Sequence, residues 1–159
     1  MKILLKDTCL IIPEHIIKML NRFCQTSSLD NESGGILLGK KELNKSRYII
    51  SAISKPSEKD KATRTSFVRS KETGQEIINE YWKHSKGVVN YLGEWHTHPE
   101  KRPIPSTTDR QLLATILKDG SSVFPELFMV IVGQTDLYVG KVTSQSPFFI
   151  ESQYIKRIK

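Results

Sequence analysis

The stretch 93–109 constrains the fold of this chain more than any other feature of its sequence. It reads Gly-Glu-Trp-His-Thr-His-Pro-Glu-Lys-Arg-Pro-Ile-Pro-Ser-Thr-Thr-Asp. Alternate side chains of a strand point to one face, so His96 and His98 would project together, with Cα atoms about 6.5–7 Å apart. Pro99 lacks the N–H that a central strand needs, so we expect the strand to end there. A segment with helical apolar periodicity then begins at Ser106.

Asp109 lies in the first turn of that predicted helix, from which its carboxylate can reach back towards the histidines. Two neutral imidazole nitrogens and one carboxylate are the donor set of a catalytic zinc site, in which water takes the fourth position on the metal ion. The alternative is that His96 and His98 are a structural pair satisfied by hydrogen bonds, and the position of Asp109 argues against it. The other histidines, His15 and His84, are isolated on predicted helices and are expected at the surface.

The same stretch resembles a known signature. The pattern His-Thr-His, seven residues, Ser, two residues, Asp closely resembles the JAMM signature of the JAB/MPN family of zinc metalloproteases. That signature includes an upstream glutamate, and Glu32 occupies the corresponding place in Glu-Ser-Gly-Gly-Ile-Leu-Leu-Gly. By the order of its elements the resemblance covers residues 8–142. It implies an α/β fold with a mixed β-sheet flanked by helices, in the MPN/JAB architecture related to cytidine deaminases.

The resemblance also implies a role for each signature residue. It implies one Zn²⁺ ion held by His96, His98 and Asp109, with Glu32 as the general base and Ser106 as a hydrogen-bond donor to the oxyanion. In such a site the metal lowers the pKa of its bound water to about 7 and polarises the scissile carbonyl.

Two of these roles have rivals. The sequence Ser106-Thr-Thr-Asp109 also fits a helix capping box, and the sequence alone does not separate cap from donor. Glu94 competes with Glu32 for the role of base because it shares a strand face with the histidines. Glu94 departs from the family, which has a neutral residue there, so its other expected roles are to orient a metal ligand or meet a substrate lysine. Glu32 is preferred because a general base has to reach the water from outside the ligand set.

The resemblance implies a zinc-dependent isopeptidase or peptidase. Its expected substrate is the C-terminal tail of ubiquitin or a ubiquitin-like protein, joined to a lysine of a target. The short form resembles bacterial JAB proteins, and deconjugation in anti-phage (CBASS-like) systems is the preferred branch. The alternatives are processing of sulfur-carrier proteins, work on DNA in the manner of RadC-like proteins, and a metal-free scaffold, which the intact ligand set disfavours. A zinc deaminase is excluded because no Pro-Cys-x-x-Cys follows.

Composition narrows the class of protein. A chain of 159 residues, 38% hydrophobic and 26% charged, is expected to form one globular domain over 1–159. The net charge of +7 favours an acidic partner, but no basic run reaches the density of a nucleic-acid arm, so nucleic acid is not expected. No apolar run approaches the roughly 20 residues of a membrane span. Cys9 and Cys24 have no CxxC spacing and indicate reduced thiols in a cytoplasmic protein, while the oligomeric state is left open.

Periodicity and turn residues divide the rest of the chain. They predict strands over 8–12, 36–38, 48–53, 88–98, 127–132 and 137–142, a weaker strand over 148–158, and helices over 13–25, 70–86 and 106–118. The second helix is expected to turn Ile77, Ile78, Tyr81 and Trp82 inward, and the third to bury Leu112, Leu113, Ile116 and Leu117. Residues 39–44 are expected as a turn. Residues 54–66 are expected as an exposed mobile loop, which by resemblance would hold the substrate tail.

Overall fold

The computed structural model describes residues 1–157, without the side chains of 146–150. In chain order its elements are β1 Lys2–Leu5, β2 Thr8–Ile11, α1 Glu14–Asn21, β3 Gly34–Lys41, β4 Arg47–Ile53, β5 Lys61–Thr63, β6 Ser66–Val68, α2 Lys71–His84, β7 Asn90–Thr97, α3 Thr107–Lys118, β8 Glu126–Val132, β9 Asp136–Thr143 and β10 Ser146–Lys156. This is the expected α/β fold, a mixed sheet with three helices.

Eight strands form the main sheet in the order β1-β2-β4-β3-β7-β8-β9-β10, and β5 and β6 form a separate two-stranded hairpin. The pairs β2–β4 and β7–β8 are parallel, and the other neighbours are antiparallel. The outer strands β1 and β10 approach each other, and Gln153 Nε2 donates to the Leu4 carbonyl. The sheet therefore curves round on itself, with β7 in its middle.

The core occupies both faces of this sheet. On one face α1 buries Ile16 and Leu20 against residues such as Leu92, Trp95 and Phe128. On the other, α3 covers a second cluster of Leu113, Leu127, Met129, Ile131, Tyr138 and Val142. Full burial of side chains of this size stabilises the fold by roughly 1.5–3 kcal/mol each. Trp95, which by alternation points away from the histidines, is 1% exposed in the first of these clusters.

A bulge in β7 decides which side chains share a face. Gly93 has φ 144°, and the register between β3 and β7 shifts at this point. A Cβ on Gly93 would lie 1.8 Å from the Phe128 carbonyl oxygen, so no other residue fits here. The bulge changes the phase of the strand: Leu92 and Trp95 both enter the α1 core, although they are three residues apart.

Several predicted boundaries were wrong. The expected loop 54–66 contains β5, and with Ser66–Val68 it forms a hairpin held by three residue pairs. Strand β1 was not predicted: its four residues alternate between exposed and buried, which is the shortest run in which that pattern indicates a strand. The predicted turn 39–44 begins too early, since β3 runs to Lys41. The first helix ends at Asn21, not near residue 25. The weak strand 148–158 is confirmed as part of β10, with residue 158 outside the described part.

The predicted inward faces of two helices also need correction. In α2, Tyr81 and Trp82 are 38% and 53% exposed, so the expectation that they face inward is wrong. The helix contacts β3 and β7, Ile77 and Ile78 are half-buried as expected in direction, and Gly74 is its one buried residue. In α3, Leu113 is buried as expected but Leu112 is 42% exposed and lines an open cavity. His15 and His84 are exposed, as predicted.

Candidate metal centre

His96 in β7 and His98, which directly follows that strand, converge as the period of a strand predicts. His96 and His98 are both buried, and their Nε2 atoms lie 3.1 Å apart. Strand β7 is held on both sides: His96 pairs with Gly34 of β3 and with Ile131 of β8. The histidine backbones are therefore fixed by the sheet and do not depend on any ligand.

Asp109 completes a compact group of donor atoms. Its Oδ1 lies 3.3 Å from His96 Nε2, and its Oδ2 lies 3.6 Å from His98 Nε2. The carboxylate is aimed by the start of α3, where the Ser106 N–H donates to Asp109 Oδ2 at 2.7 Å and the Asp109 N–H donates to Ser106 Oγ at 3.1 Å. This is the reciprocal capping box that the sequence suggested.

The donor set fits a divalent metal ion. Ligand atoms bound tetrahedrally to Zn²⁺ at about 2.0–2.1 Å are separated from one another by roughly 3.3 Å. The three measured separations, 3.1, 3.3 and 3.6 Å, lie around that value. Two imidazole nitrogens facing each other at 3.1 Å also need a cation or a shared proton between them. Among the described residues, His96, His98 and Asp109 form the one His/Cys/Asp/Glu group compact enough for this.

The carboxylates and the histidines of this group shift one another's pKa values because they lie close together. Burial alone would raise the pKa of Asp109, but hydrogen bonds with His96 and His98 hold that pKa well below its usual range. Burial acts to lower the pKa of His98, and Asp109 together with Glu32 and Glu100 overcomes this and raises it. The site therefore favours positive charge between these carboxylates, as a cation site should.

Glu32 lies beside the centre but outside the ligand set. It is 6% exposed, and its Oε1 lies 4.0 Å from His98 Nε2. Burial raises its pKa to about 7, with the charge of His98 opposing and those of Asp109 and Glu100 adding to the shift. A carboxyl group with a pKa near neutrality can both accept and return a proton.

The segment carrying Glu32 is joined directly to the ligand strand. The Ser33 N–H donates to Thr97 Oγ1 at 3.0 Å, and the Thr97 N–H donates to the Ser33 carbonyl at 2.8 Å. Thr97 also donates from its hydroxyl to Gln25 Oε1 at 3.1 Å. The residue between the two histidines thus sets the distance from the ligands to Glu32.

Ser106 serves as the N-cap of α3, and this residue also lines the cavity that contains His96, His98 and Asp109. Its Oγ accepts a hydrogen bond from Asp109, and the described residues provide no acceptor for its hydroxyl hydrogen. The cap and the predicted donor role are therefore compatible in one side chain.

Glu94 lies on the same face as the histidines, but its carboxylate is occupied. Arg69 Nε donates to Oε2 at 3.2 Å and Arg69 Nη2 donates to Oε1 at 2.9 Å. The Tyr91 hydroxyl donates to the same Oε1 at 2.8 Å. Burial raises the pKa of Glu94, and the guanidinium of Arg69 acts against that shift. With both oxygens engaged, Glu94 is poorly placed to take a proton from water.

Sequence reasoning missed two residues at this site. Glu100 Oε2 lies 3.2 Å from His98 Nδ1, close to the ring nitrogen that faces away from the other ligands. Its position two residues after His98 could have indicated this contact, because a histidine that binds a metal usually donates its other ring N–H to a carboxylate or a carbonyl. Gln25 is 1% exposed and donates from Nε2 to the carbonyls of Asp30 and Arg64. Nothing in the local sequence marks it, because its partners are distant along the chain.

The centre lies in a cavity of about 510 Å³ that leads to the surface. One wall is the hairpin, with residues 65–68, and the opposite wall is the start of α3, with Thr108 and Leu112. Arg69 and Leu112 also line a neighbouring cavity of about 560 Å³ between α2 and α3. The hairpin and the group of His96, His98 and Asp109 (the metal group) therefore line the same cavity.

Fold, donor set and sequence together define the class of protein. Residues 18–146 match the model of the family described as prokaryotic homologs of the JAB domain. This chain belongs to that family, and it is a hydrolase.

Curated relatives are similar over most of their length. Proteins named "CD-NTase/cGAS isopeptidase" from Escherichia coli and Vibrio cholerae are 35% and 36% identical to it, over 85% of this chain and 83% of each relative. A protein of Sinorhizobium fredii named "Probable metalloprotease y4qB" is 31% identical, over 76% of this chain and 73% of that protein.

A solved structure shares the fold. The solution structure of protein DSY2949 from Desulfitobacterium hafniense superposes with a TM-score of 0.51 at 18% identity, covering 94% of this chain and 91% of that one. Among the described helices, none is both long and apolar enough to cross a membrane.

Proposed function

We propose that this chain is a zinc-dependent isopeptidase that releases a conjugated protein from a target lysine, in bacterial anti-phage defence. The observation that carries the proposal is the His96–His98–Asp109 group with Glu32 Oε1 4.0 Å from His98 Nε2, at the base of a cavity open to the surface. Histidine nitrogens with one carboxylate suit Zn²⁺, and the matching separations support that ion.

His96, His98 and Asp109 would hold the zinc ion, which when bound supplies an activated water and polarises the scissile carbonyl. Glu32 takes the proton of the attacking water and later gives it to the leaving lysine amine. The C–O bond forms first and places negative charge on the carbonyl oxygen. The C–N bond then breaks as the amine takes up the proton, so the products are a free carboxylate and a free amine. The Ser106 hydroxyl donates a hydrogen bond to the oxyanion that develops on the carbonyl oxygen.

The hairpin β5–β6 is suited to hold the tail of the conjugated protein. It stands apart from the main sheet, so each of its strands has an edge without a neighbouring strand in the described chain. An extended peptide can add to such an edge through its backbone. Residues 65–68 face the same cavity as the metal group, which would bring the end of the bound tail to the site of cleavage.

The relatives' names suggest the conjugated protein. Two of them are named for action on CD-NTase, and we propose an enzyme of that class, joined through its C-terminus, as the substrate here. A ubiquitin-like protein with an extended tail is the second substrate class, as the resemblance implied.

The test uses purified protein, Zn²⁺ and a CD-NTase joined through its C-terminal carboxyl to the ε-amine of a fluorescent lysine peptide. We expect the wild-type chain to release the peptide and Glu32→Gln to lose at least about 10²-fold in kcat. Glu80→Gln, on the exposed part of α2, is the matched control and should behave as wild type. Equal rates for Glu32→Gln and wild type would remove Glu32 from the mechanism.

A second substrate separates the branches of the family. A linear fusion behind the same tail, with a peptide bond in place of the isopeptide bond, should be cleaved more slowly if the chain is a deconjugating enzyme. Preference for the linear substrate would instead favour processing of carrier proteins. Absence of cleavage of both would reject the proposed activity on this tail.

A further inference from the structure

A largely buried ion pair joins the hairpin to β7, the strand that carries His96. Arg69 follows directly after β6, and its guanidinium donates twice to Glu94, at 2.9 and 3.2 Å. The side chains are 20% and 6% exposed, and the Tyr91 hydroxyl supplies a third hydrogen bond to the carboxylate. Glu94 lies two residues before His96, so this pair connects the wall of the catalytic cavity to the metal-binding strand.

The bulge at Gly93 makes this arrangement possible. By strict alternation Tyr91 would face the same side as Trp95, yet its hydroxyl reaches Glu94. The Tyr91 and Glu94 side chains therefore meet on the face that also carries His96. The third partner, Arg69, lines the same cavity, directly after the hairpin residues 65–68.

Gly74 makes room for the arginine. A Cβ on Gly74 would lie 1.9 Å from Arg69 Nη1, so the guanidinium passes directly over the backbone of α2. Glycine in the interior of a helix is less favourable than alanine, and here its small size admits a charged group. Arg69 Nη1 also donates to the Ser70 carbonyl at 3.0 Å, at the N-cap of α2. One side chain thus connects the hairpin, the first turns of α2 and β7.

The other end of the hairpin has a different attachment. The Glu32 N–H donates to the Thr63 carbonyl at 2.7 Å, and Gln25 Nε2 donates to the Arg64 carbonyl at 2.9 Å. These bonds secure the end of β5 and the turn after it. The Arg69–Glu94 pair secures the end of β6.

We propose that Arg69 and Glu94 are positioning residues that fix the β6 end of the hairpin and the start of α2 against β7, so that the substrate tail meets a preformed strand edge. A buried ion pair is costly to desolvate and is a weak source of stability, which favours a role in specifying one arrangement. The consequence for catalysis rests on the proposed isopeptidase function, whereas the attachment of the hairpin does not.

The first measurement is amide hydrogen exchange on the whole chain, which needs no substrate. Removal of one partner alone leaves a buried charge unpaired, so the double variant Arg69→Met/Glu94→Gln is compared with each single variant. We expect exchange of the amides of 61–68 to rise about tenfold or more, while those of 127–132 in β8 keep the wild-type rate. Glu72→Gln breaks the exposed pair with Lys59, which bridges the preceding loop and α2, and should change neither segment.

The second measurement is the cleavage of the isopeptide-linked CD-NTase conjugate. We expect the double variant to raise KM about tenfold while kcat stays within about threefold, since the metal group and Glu32 are retained. Gly74→Ala is the more informative variant. It should displace Arg69 and leave the Glu94 carboxylate buried without its partner, so KM should rise, and the gain in helix propensity should offset only part of the lost stability. In the Arg69→Met background the same substitution should leave KM unchanged.

Three results would overturn the proposal. One is wild-type exchange of 61–68 in the double variant. Another is a fall in kcat for Glu94→Gln of 10²-fold or more with unchanged exchange, which would make Glu94 catalytic. The third is a KM for Gly74→Ala equal to that of wild type. If the wild-type chain does not cleave the conjugate, the proposed function fails, and the exchange data alone decide whether the pair holds the hairpin.

Discussion

Glu32 combines burial with closeness to three other ionisable groups. Its carboxylate is 6% exposed, and its pKa rises from 4.5 to about 7 mainly because burial disfavours the charged form. The folded chain therefore holds this proton more tightly than the unfolded chain does. A carboxyl group whose ionisation lowers the stability of the folded state is typical of an active site.

The first prediction concerns Glu32 and pH in the metal-free protein. Folding raises the pKa of Glu32, so protonated Glu32 favours the folded state over the unfolded state. This contribution to the free energy of unfolding is fully present below about pH 4.5 and is lost as the pH rises through about 7. Glu32→Gln avoids that loss, so at pH 8 it should be more stable than wild type by up to about 3 kcal/mol, with little difference near pH 4.5.

Urea unfolding at pH 4.5, 6 and 8 in the presence of a chelator measures this difference. Glu80→Gln, which alters an exposed carboxylate on α2, should show no such trend. A Glu32→Gln variant equally or less stable than wild type at pH 8 would mean that Glu32 ionises without cost in the folded chain.

Single residues of the site were predictable only where local rules apply. Period-two alternation placed His96 and His98 on one face, and the helix-start pattern placed Asp109 near them. Alternation also put Glu94 on that face, but not its partner Arg69, which is 25 residues away in the chain. The contact between Glu94 and Tyr91 depends on a bulge that breaks the alternation, so no simple period predicts it.

At the scale of elements, α3 begins with a cap that is also part of the site. Ser106 accepts from the Asp109 N–H, and Asp109 in turn accepts from the Ser106 N–H. Helix α2 has a comparable start, where Ser70 accepts from the Thr73 N–H at 3.3 Å. The two serines therefore share a structural role, and only Ser106 lines the metal cavity.

The second prediction uses that similarity. Ser106→Ala and Ser70→Ala should each lower the free energy of unfolding by about 1 kcal/mol through loss of a cap. Only Ser106→Ala should also lower kcat, by about 10²–10³-fold, because it removes a donor to the oxyanion. Thermal unfolding and steady-state kinetics on the isopeptide conjugate separate the effects. Equal kcat for the two variants would leave Ser106 as a cap alone.

Helix α2 shows why the depth of burial of a helix face is hard to assign from sequence. Its apolar residues Ile77, Ile78, Tyr81 and Trp82 recur at helical spacing, which predicted one inward stripe. Gly74 shares a face with Ile77, Ile78 and Tyr81, so periodicity selected the correct face. It overestimated the burial: Ile77 and Ile78 are half-buried, whereas Tyr81 and Trp82 are exposed.

The third prediction tests this difference in burial by fluorescence. Trp95 is 1% exposed and Trp82 is 53% exposed, so the native protein should contain one shielded and one quenchable tryptophan. Trp82→Phe should leave a blue-shifted emission that acrylamide quenches weakly. Its stability should change by no more than about 0.5 kcal/mol, as for other surface substitutions. Strong quenching in Trp82→Phe would contradict the burial of Trp95.

At the scale of the whole molecule, the sheet that carries the metal group is held by hydrogen bonds and a core that do not involve His96, His98 or Asp109. Strand β7 has hydrogen-bonded neighbours on both sides, and the core on the α1 face is independent of the ligands. The alternation of strands and helices was enough to predict this mixed sheet. The strand order and the curling of its edges were not predictable, because they depend on contacts between the two ends of the chain.

The fourth prediction is that metal removal abolishes activity but not folding. A chelator should remove cleavage of the conjugate while the far-ultraviolet circular dichroism stays native, and added Zn²⁺ should restore the rate. The free energy of unfolding should fall only by the amount that binding adds, about 4 kcal/mol at a zinc concentration 1,000 times Kd, and the melting temperature should fall accordingly. Loss of native circular dichroism on chelation would show that the ion is needed for the fold.

The meeting of β1 and β10 has a consequence for how this protein encounters others. Unpaired strand edges attract foreign segments indiscriminately and promote aggregation. In the described chain the two outermost strands of the large sheet approach each other, whereas the small hairpin beside the metal cavity stays open. Under the proposed function, an extended peptide would add to the open hairpin beside the metal cavity, and self-association through the large sheet is discouraged.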